Sequence, residues 1–331
     1  MAQAESTGLG FSASRSSRRA VIRRLGDSTY RVLIAGASLS VLALILAIGL
    51  VLWSASRESI GKFGTAFFVT SKWDAAHQIF GALPFILGTL YTSFWALFIA
   101  VPISVGAAIF LAEIAPPWIR TPCSYLIELL AAVPSVVYGL WGVFVLSPWL
   151  VQHFETPVSQ NDFLSKLFLF TGAPNGNDFL AGSLILSIMV IPFVTAISRD
   201  IIRAIPNAAR DGSYALGATR WETIRGVVLP YARSGIVGAT VLGLGRALGE
   251  TMAVTMVIGN FNGNFAPSLF SPGATMTTLI VNEFQEASQN LYISAIIEIG
   301  LALFVVSVIV NGAARILIRY TAKNLSGASV K

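Results

Sequence analysis

Six stretches of this chain are apolar for long enough to cross a lipid bilayer, and that constraint comes before any other. Val32–Trp53 runs for 22 residues without a charge and Ile86–Ala112 for 27, and Phe179–Ser198 also carries none. Tyr125–Leu150 carries only Glu128, Leu291–Ala314 only Glu298, and Ser234–Ile258 holds Arg246 and Glu250. A hydrocarbon core about 30 Å thick takes about 20 helical residues, so each run can span. Charged residues make up 11% of the chain, against about 25% in ordinary soluble domains. The expectation is an all-α membrane protein with six transmembrane helices.

The basic residues set the topology. With the N-terminus inside, 17 of the 22 Lys and Arg residues fall on one side: the tail up to Arg31, Arg120, the loop from Arg199 to Arg233, and the segment after Ala314. The other side holds Arg57, Lys62, Lys72 and Lys166, and Arg246 is left within a span. This bias places both termini in the cytoplasm by the positive-inside rule. The net charge of +6 is therefore a topology signal. No nucleic acid is expected as a partner, because the basic residues do not alternate with aromatics. Residues 1–31 read as a basic, disordered cytoplasmic tail, 32–320 as a six-span domain containing the charged loop 199–233, and 321–331 as a short cytoplasmic tail. The first apolar run is too long for the h-region of a cleaved signal peptide, so it reads as a retained span.

Several chemistries are excluded early. Cys123 is the only cysteine and His77 and His153 the only histidines, too few for a zinc site or a nucleophile–base pair. The nearest fragment to a phosphate-binding loop, Gly61-Lys-Phe63, lacks both the earlier glycine and the Ser/Thr that would bind magnesium. The chain is not expected to hydrolyse ATP or to hold a cofactor, so energy for active transport has to enter from a partner. Pro102, Pro134, Pro148 and Pro192 interrupt the spans. They read either as packing kinks or, at Pro134 and Pro192, as part of a cavity lining.

The fifth span is the most specific. Gly235, Ala239, Gly243 and Ala247 recur every four residues, with Gly245 and Gly249 forming a second small ridge. Such spacing lets two helix backbones approach closely, within the chain or between subunits. Gly243, Arg246 and Glu250 fall at i, i+3 and i+7, so on a continuous helix the two charges lie on or beside that face. Ionisable groups at such depth are costly and mark function or a buried pair. A guanidinium keeps its charge when desolvated and presents several donors to an oxyanion. Glu250, one turn later, could neutralise it until an anion competes; the alternative is a static salt bridge. Glu128 and Glu298 are further candidates, for the pathway or for packing.

Before this span, residues 206–225 have helix-former character, and Pro230 is expected to end the local structure before the fifth helix begins. Here the residues resemble a known family, the permease subunits of bacterial ABC importers. These carry a cytoplasmic motif of Glu-Ala-Ala, three residues, Gly, nine residues, then Ile-x-Leu-Pro. In this chain Asp211-Gly212-Ser213 takes the first three places, Gly217 the glycine, and Val227-Val228-Leu229-Pro230 the end. Gly212 and Ser213 depart from the two alanines, at about 1 kcal/mol for a glycine inside a helix. The resemblance implies that Asp211, Ala215, Leu216, Gly217, Ala218, Thr219, Leu229 and Pro230 form a coupling segment that docks on an ATPase subunit.

Within that family, the run from Gly243 to Val254 closing at Ile258-Gly-Asn260 is similar to the phosphate-importer branch of PstC type. So are Phe80 to Leu90 and Glu128 to Gly139. Thr251-Met-Ala-Val254 separates this branch from the PstA type, and adds Thr251 to the pathway-or-packing candidates. The resemblance spans roughly residues 30 to 320. It implies a type I ABC importer permease fold (MetI-like) and phosphate-path roles for Arg246 and Glu250. It also implies a second, PstA-like permease, two PstB-like ATPases holding ATP and Mg²⁺, and an external PstS-like phosphate-binding protein. That protein would dock on external loops, with Val151–Asp178 and Phe261–Asn290 as candidates. Permeation of another oxyanion such as sulfate or molybdate, a secondary anion transporter, and a link to phosphate sensing remain as alternatives.

Overall fold

The computed structural model of the chain describes residues 10–326, and side chains over 30–316. It divides into two units, Met1–Ser54 and Ala55–Lys331. The first is essentially one helix, α1 (Gly10–Ala55), of which Tyr30–Ala55 is long and apolar enough to span. Residues 10–31 are thus helical where a disordered tail is expected; between Phe11 and Leu25 the sequence has no glycine or proline to break a helix. The disorder expected of residues 1–9 and the end of the 321–331 tail lie outside the described residues.

The second unit contains a short helix α2 (Arg57–Phe63), then α3 (Leu83–Ile114), α4 (Pro117–Ala132), α5 (Ser135–Gln160) and α6 (Phe179–Arg203). It continues with α7 (Asn207–Ala215), α8 (Arg220–Gly249), α9 (Met252–Val257), α10 (Met276–Glu283) and α11 (Asn290–Ser326). Counting α1, six helices are long and apolar enough to cross a membrane: α1, α3, α5, α6, α8 and α11. Among the described residues there is no strand, only isolated bridges at Asp74–Ile79 and Gly259–Gly273.

α6 is the central helix, buried over most of its length. Its side chains are apolar all round, as a helix enclosed by others requires. α3 lies along it through Gly88, Thr92, Ala96, Ala100, Ser104 and Ala108, a small residue at every fourth position and all buried. The Thr89 and Thr92 hydroxyls donate back to the carbonyls of Phe85 and Gly88 at 2.7 Å, so no donor is left facing the apolar contact. Ser104 donates to the Ile191 carbonyl, 3.2 Å away, beside the Pro192 kink in α6.

The small ridge of α8 packs against α6 as well. A Cβ on Gly243 would come within 2.7 Å of Val194, and one on Gly235 within 2.6 Å of Ile201. This ridge is therefore an intrachain seam, and Ala239 and Ala247 are buried in it.

Three sequence expectations need correction. The third span does not start at Tyr125. Val133 is extended (ψ 130°), so α4 ends at Ala132 and α5 starts after Pro134, because a residue before proline is pushed out of the helical region. Pro134 is a boundary and not a kink. Pro230 does not end the local structure: one π turn at Ile224–Val228 precedes it and the helix runs on, the wider turn absorbing the missing N–H. Finally, neither external loop candidate is a free loop. Residues 151–160 complete α5, and 259–283 fold back into the bundle. There Leu269 donates to the Leu169 carbonyl (2.8 Å) and accepts from Leu180 N–H (2.9 Å), while Met276 and Leu279 are buried.

Candidate functional site

α8 ends at Gly249, three residues after Arg246. Glu250 is extended (φ −70°, ψ 126°), and α9 restarts the helix at Met252. Glu250 therefore does not sit one turn beyond Arg246 on a continuous face. Its Oε1 accepts from Ala253 N–H at 3.4 Å, and its carbonyl accepts from the Thr277 hydroxyl at 3.0 Å. With Thr89, Thr92, Ser93, Thr275 and Thr277 it lines a narrow crevice with no room for a water molecule. Thr251 turns inward on its own backbone, its hydroxyl donating to the Gly249 carbonyl at 3.2 Å. It makes a turn and no contact with Arg246.

Arg246 makes no ion pair with any carboxylate among the described residues. Its Nε is buried without a hydrogen-bond partner. The guanidinium lies 5.9 Å from the ring centroid of Phe193 on α6. It is also within electrostatic reach of Tyr138, whose hydroxyl donates to the Leu130 carbonyl across the α4–α5 break. Arg246 is thus held by an aromatic face and helix packing, with hydrogen-bonding capacity left over. That is what an anion-responsive arginine needs, and it excludes the static Arg246–Glu250 salt bridge.

Neither Glu128 nor Glu298 pairs with Arg246 among the described residues. Glu128, on α4, accepts from Arg199 Nη2 at 3.0 Å. Glu298 is buried on α11 one turn after Ser294, whose hydroxyl accepts from Ser59 N–H of α2.

Most of the residues expected to form a coupling segment gather at one turn. Asp211 and Ala215 lie on α7, Leu216 is 91% exposed, and Gly217 has φ +85°. That backbone conformation is disfavoured for any residue with a Cβ, so the glycine is a requirement of the turn. Ala218 N–H returns to the Ser213 carbonyl at 3.2 Å, and Thr219 caps α8 in a reciprocal capping box with Glu222. Leu229 and Pro230 follow within α8. The large side chains of Tyr214, Leu216 and Trp221 stay exposed around this turn.

The clamp beneath it is invisible in the sequence. Arg210 of α7 donates to Glu113 Oε1 on α3 through Nε (3.1 Å) and Nη2 (2.7 Å), and to the carbonyls of Ile205 (2.6 Å) and Ile202 (2.8 Å) at the end of α6. Arg220 of α8 donates to the Glu113 carbonyl. Glu113 and Arg210 together thereby tie α3, α6, α7 and α8 at their basic end. No local signal marks a pair 97 residues apart.

A bundle of spanning helices, an exposed turn at its basic end and a half-buried arginine without a carboxylate partner on the helix leading from that turn fit an inner-membrane transport component. The comparisons agree. A family model for the binding-protein-dependent transport system inner membrane component matches residues 104–323, and the chain belongs to that family. It is 44% identical to the phosphate transport system permease protein PstC of Haemophilus influenzae over 88% of this chain and 93% of that one. With the PstC of Mesorhizobium japonicum it shares 41% identity over 92% and 94%. Among solved structures, a bacterial ABC transporter for the acidic polysaccharide alginate aligns at a TM-score of 0.58 and 17% identity, over 90% and 99% of the two chains. That likeness shows the type I importer permease fold. The chain is a multi-pass inner-membrane permease component, and its relatives are transport subunits and not enzymes.

Proposed function

We propose that this chain is the permease subunit of an ATP-driven phosphate importer. The observation that carries the proposal is Arg246: a half-buried guanidinium with a buried, unpartnered Nε and no carboxylate partner among the described residues, on a helix that begins at the turn around Gly217. The relatives' phosphate transport supplies the substrate class. A second permease would complete the path, two ATPase subunits would bind ATP and Mg²⁺ and dock at Tyr214–Trp221, and an external binding protein would deliver the anion. Both termini and the coupling turn lie in the cytoplasm by the positive-inside bias. The binding protein would meet the opposite end, where residues 161–178 and 259–275 are hydrogen-bonded together.

The mechanism follows from the connections. Closure of the ATPases moves α7, and the Arg210–Glu113 clamp passes that displacement to α3 and α6 together. α8 carries it for 30 residues toward Arg246. There the guanidinium offers donors to the passing anion, and Glu250, off the helix beyond it, supplies opposing charge for release. Replacing Arg246 with Gln should abolish uptake of radiolabelled phosphate in cells or proteoliposomes while the complex still assembles. Uptake at the wild-type rate would rule the role out. Competition by sulfate and molybdate in the same assay separates the phosphate reading from that of another oxyanion.

A further inference from the structure

A second arginine site lies further along α6, six residues beyond the Phe193 that faces Arg246, and nothing in the proposed transport cycle uses it. A cavity of about 370 Å³ opens between α4 and the basic end of α6, lined by Arg120, Ser124, Tyr125, Glu128, Arg199 and Arg203 among others. Arg199 is 4% exposed. Its Nε and Nη2 are taken by Asp200 and its Nη2 also by Glu128, at 2.9–3.0 Å. Its Nη1 has no partner. Arg120 Nε and the Ser124 hydroxyl are likewise buried without partners. Arg203, on the rim, is close enough to Arg199 and Arg120 to be repelled by both.

Three guanidinium groups against two carboxylates, Glu128 and Asp200, leave the site one positive charge in excess. Guanidinium groups have no lone pair to offer, and the two carboxylates are already paired with Arg199, so the excess charge favours an anion over a cation. Buried donors left unmade are costly, and these three come from two helices that border one cavity. A ligand that satisfies them all needs several acceptor oxygens in a compact, negatively charged group. A tetrahedral phosphate group has them, and arginine forks suit its geometry.

We propose that this cavity is a phosphate-group binding site, with Arg120, Arg203 and the free Nη1 of Arg199 as its donors. The group comes either from inorganic phosphate or from the headgroup of an anionic phospholipid. Occupancy would brace α4 against α6 one turn before the carbonyls that Arg210 holds. The site is independent of Arg246 and stands or falls separately from the transport reading.

The test uses the assembled transporter in nanodiscs, without binding protein, as wild type and as Arg203→Gln and Arg120→Gln. Both residues are at least partly exposed, so neither substitution removes packing from the core. In phosphatidylcholine discs, equilibrium binding of radiolabelled inorganic phosphate should fall by one site per chain in the variants. Failing full loss, affinity at that site should weaken at least about tenfold, or about 1.4 kcal/mol. If the source is lipid, free phosphate binding is equal in all three. Native mass spectrometry from phosphatidylglycerol discs then shows one retained anionic lipid in the wild type and none in the variants. Equal phosphate binding together with equal lipid retention in wild type and variants overturns the proposal.

Discussion

Arg210 and Arg246 are the same residue type put to opposite use. Arg210 donates to Glu113 twice and to two helix-end carbonyls, and Glu113 is itself only 8% exposed. Arg246 has a buried Nε with no partner and no carboxylate in reach. A clasped arginine leaves no capacity for a ligand and fixes the helices that meet at it. An unclasped one is a standing cost, of about 1–3 kcal/mol or more for a buried charged donor. Such a cost is explicable when the missing partner arrives during the working cycle. The basic end is thus built for rigidity, while the proposed function gives the unpaired arginine near the end of α8 an incoming charge to meet.

The sharpest way to break this contrast is to remove each arginine in turn. Arg210→Gln leaves the Glu113 carboxylate in a dry site without its cation, and breaking a buried pair in this way costs about 3–5 kcal/mol. Loss of assembled complex on detergent extraction is expected, or a large drop in its melting temperature. Arg246→Gln removes an unpaired charged donor, so it should leave that melting temperature unchanged or raise it, while transport disappears. Were the two variants equally stable, the division into rigid and responsive arginines would be lost.

A smaller effect is expected at the coupling turn. No atom lies within 4 Å of a Cβ built on Gly217, yet its φ is +85°. Alanine there meets no neighbour and costs only the backbone strain, about 1–2 kcal/mol. The turn should respond by changing shape, so Gly217→Ala should reduce co-purification of the ATPase subunit. Gly217→Asn, which tolerates that conformation better, should retain more of it. Co-purification at wild-type yield in both variants would show that the docking surface does not depend on the turn.

The spans were legible because bilayer thickness converts directly into a count of apolar residues; the turn at Gly217 was reached only through the resemblance of its motif to the importer permeases, and its coupling role belongs to the proposal. The two helix breaks were harder. Pro134 reads as a packing kink or as part of a cavity lining, and only the extended backbone of Val133 shows it to be a helix boundary. The break at Glu250 has no proline, and the four-residue small ridge runs straight up to it, so periodicity alone argues for a continuous helix. Arg210–Glu113 and the return of residues 259–283 into the bundle are tertiary facts. The pattern at Thr275 and Thr278, which form a capping box at the start of α10, was a weak local sign of the latter. Arg246 was found by cost alone, since a charge in an apolar run is rare, but its lack of a carboxylate partner needed coordinates.

Asp178 shows a third way to hold a buried charge, by protonating it, and carries the smallest predicted effect. It is fully buried at the start of α6, where Oδ1 accepts from Ala181 N–H at 2.9 Å and Oδ2 has no partner. Glu155 is buried nearby and accepts from Gly176 N–H at 3.0 Å. Burial first, and then the negative charge of Glu155, push the Asp178 carboxyl up from 3.8 to about 7. Because the folded value is the higher, the folded state keeps a proton that the unfolded chain gives up. The stabilisation from that proton is complete below 3.8 and is lost as pH rises to about 7. Asp178→Asn keeps the capping acceptor and cannot ionise. Thermal unfolding of the assembled complex should therefore fall more steeply with pH in the wild type than in Asp178→Asn across that window, and in parallel above it. Parallel curves throughout would mean that Asp178 stays ionised, and that this end of the bundle, too, balances its charge with a partner.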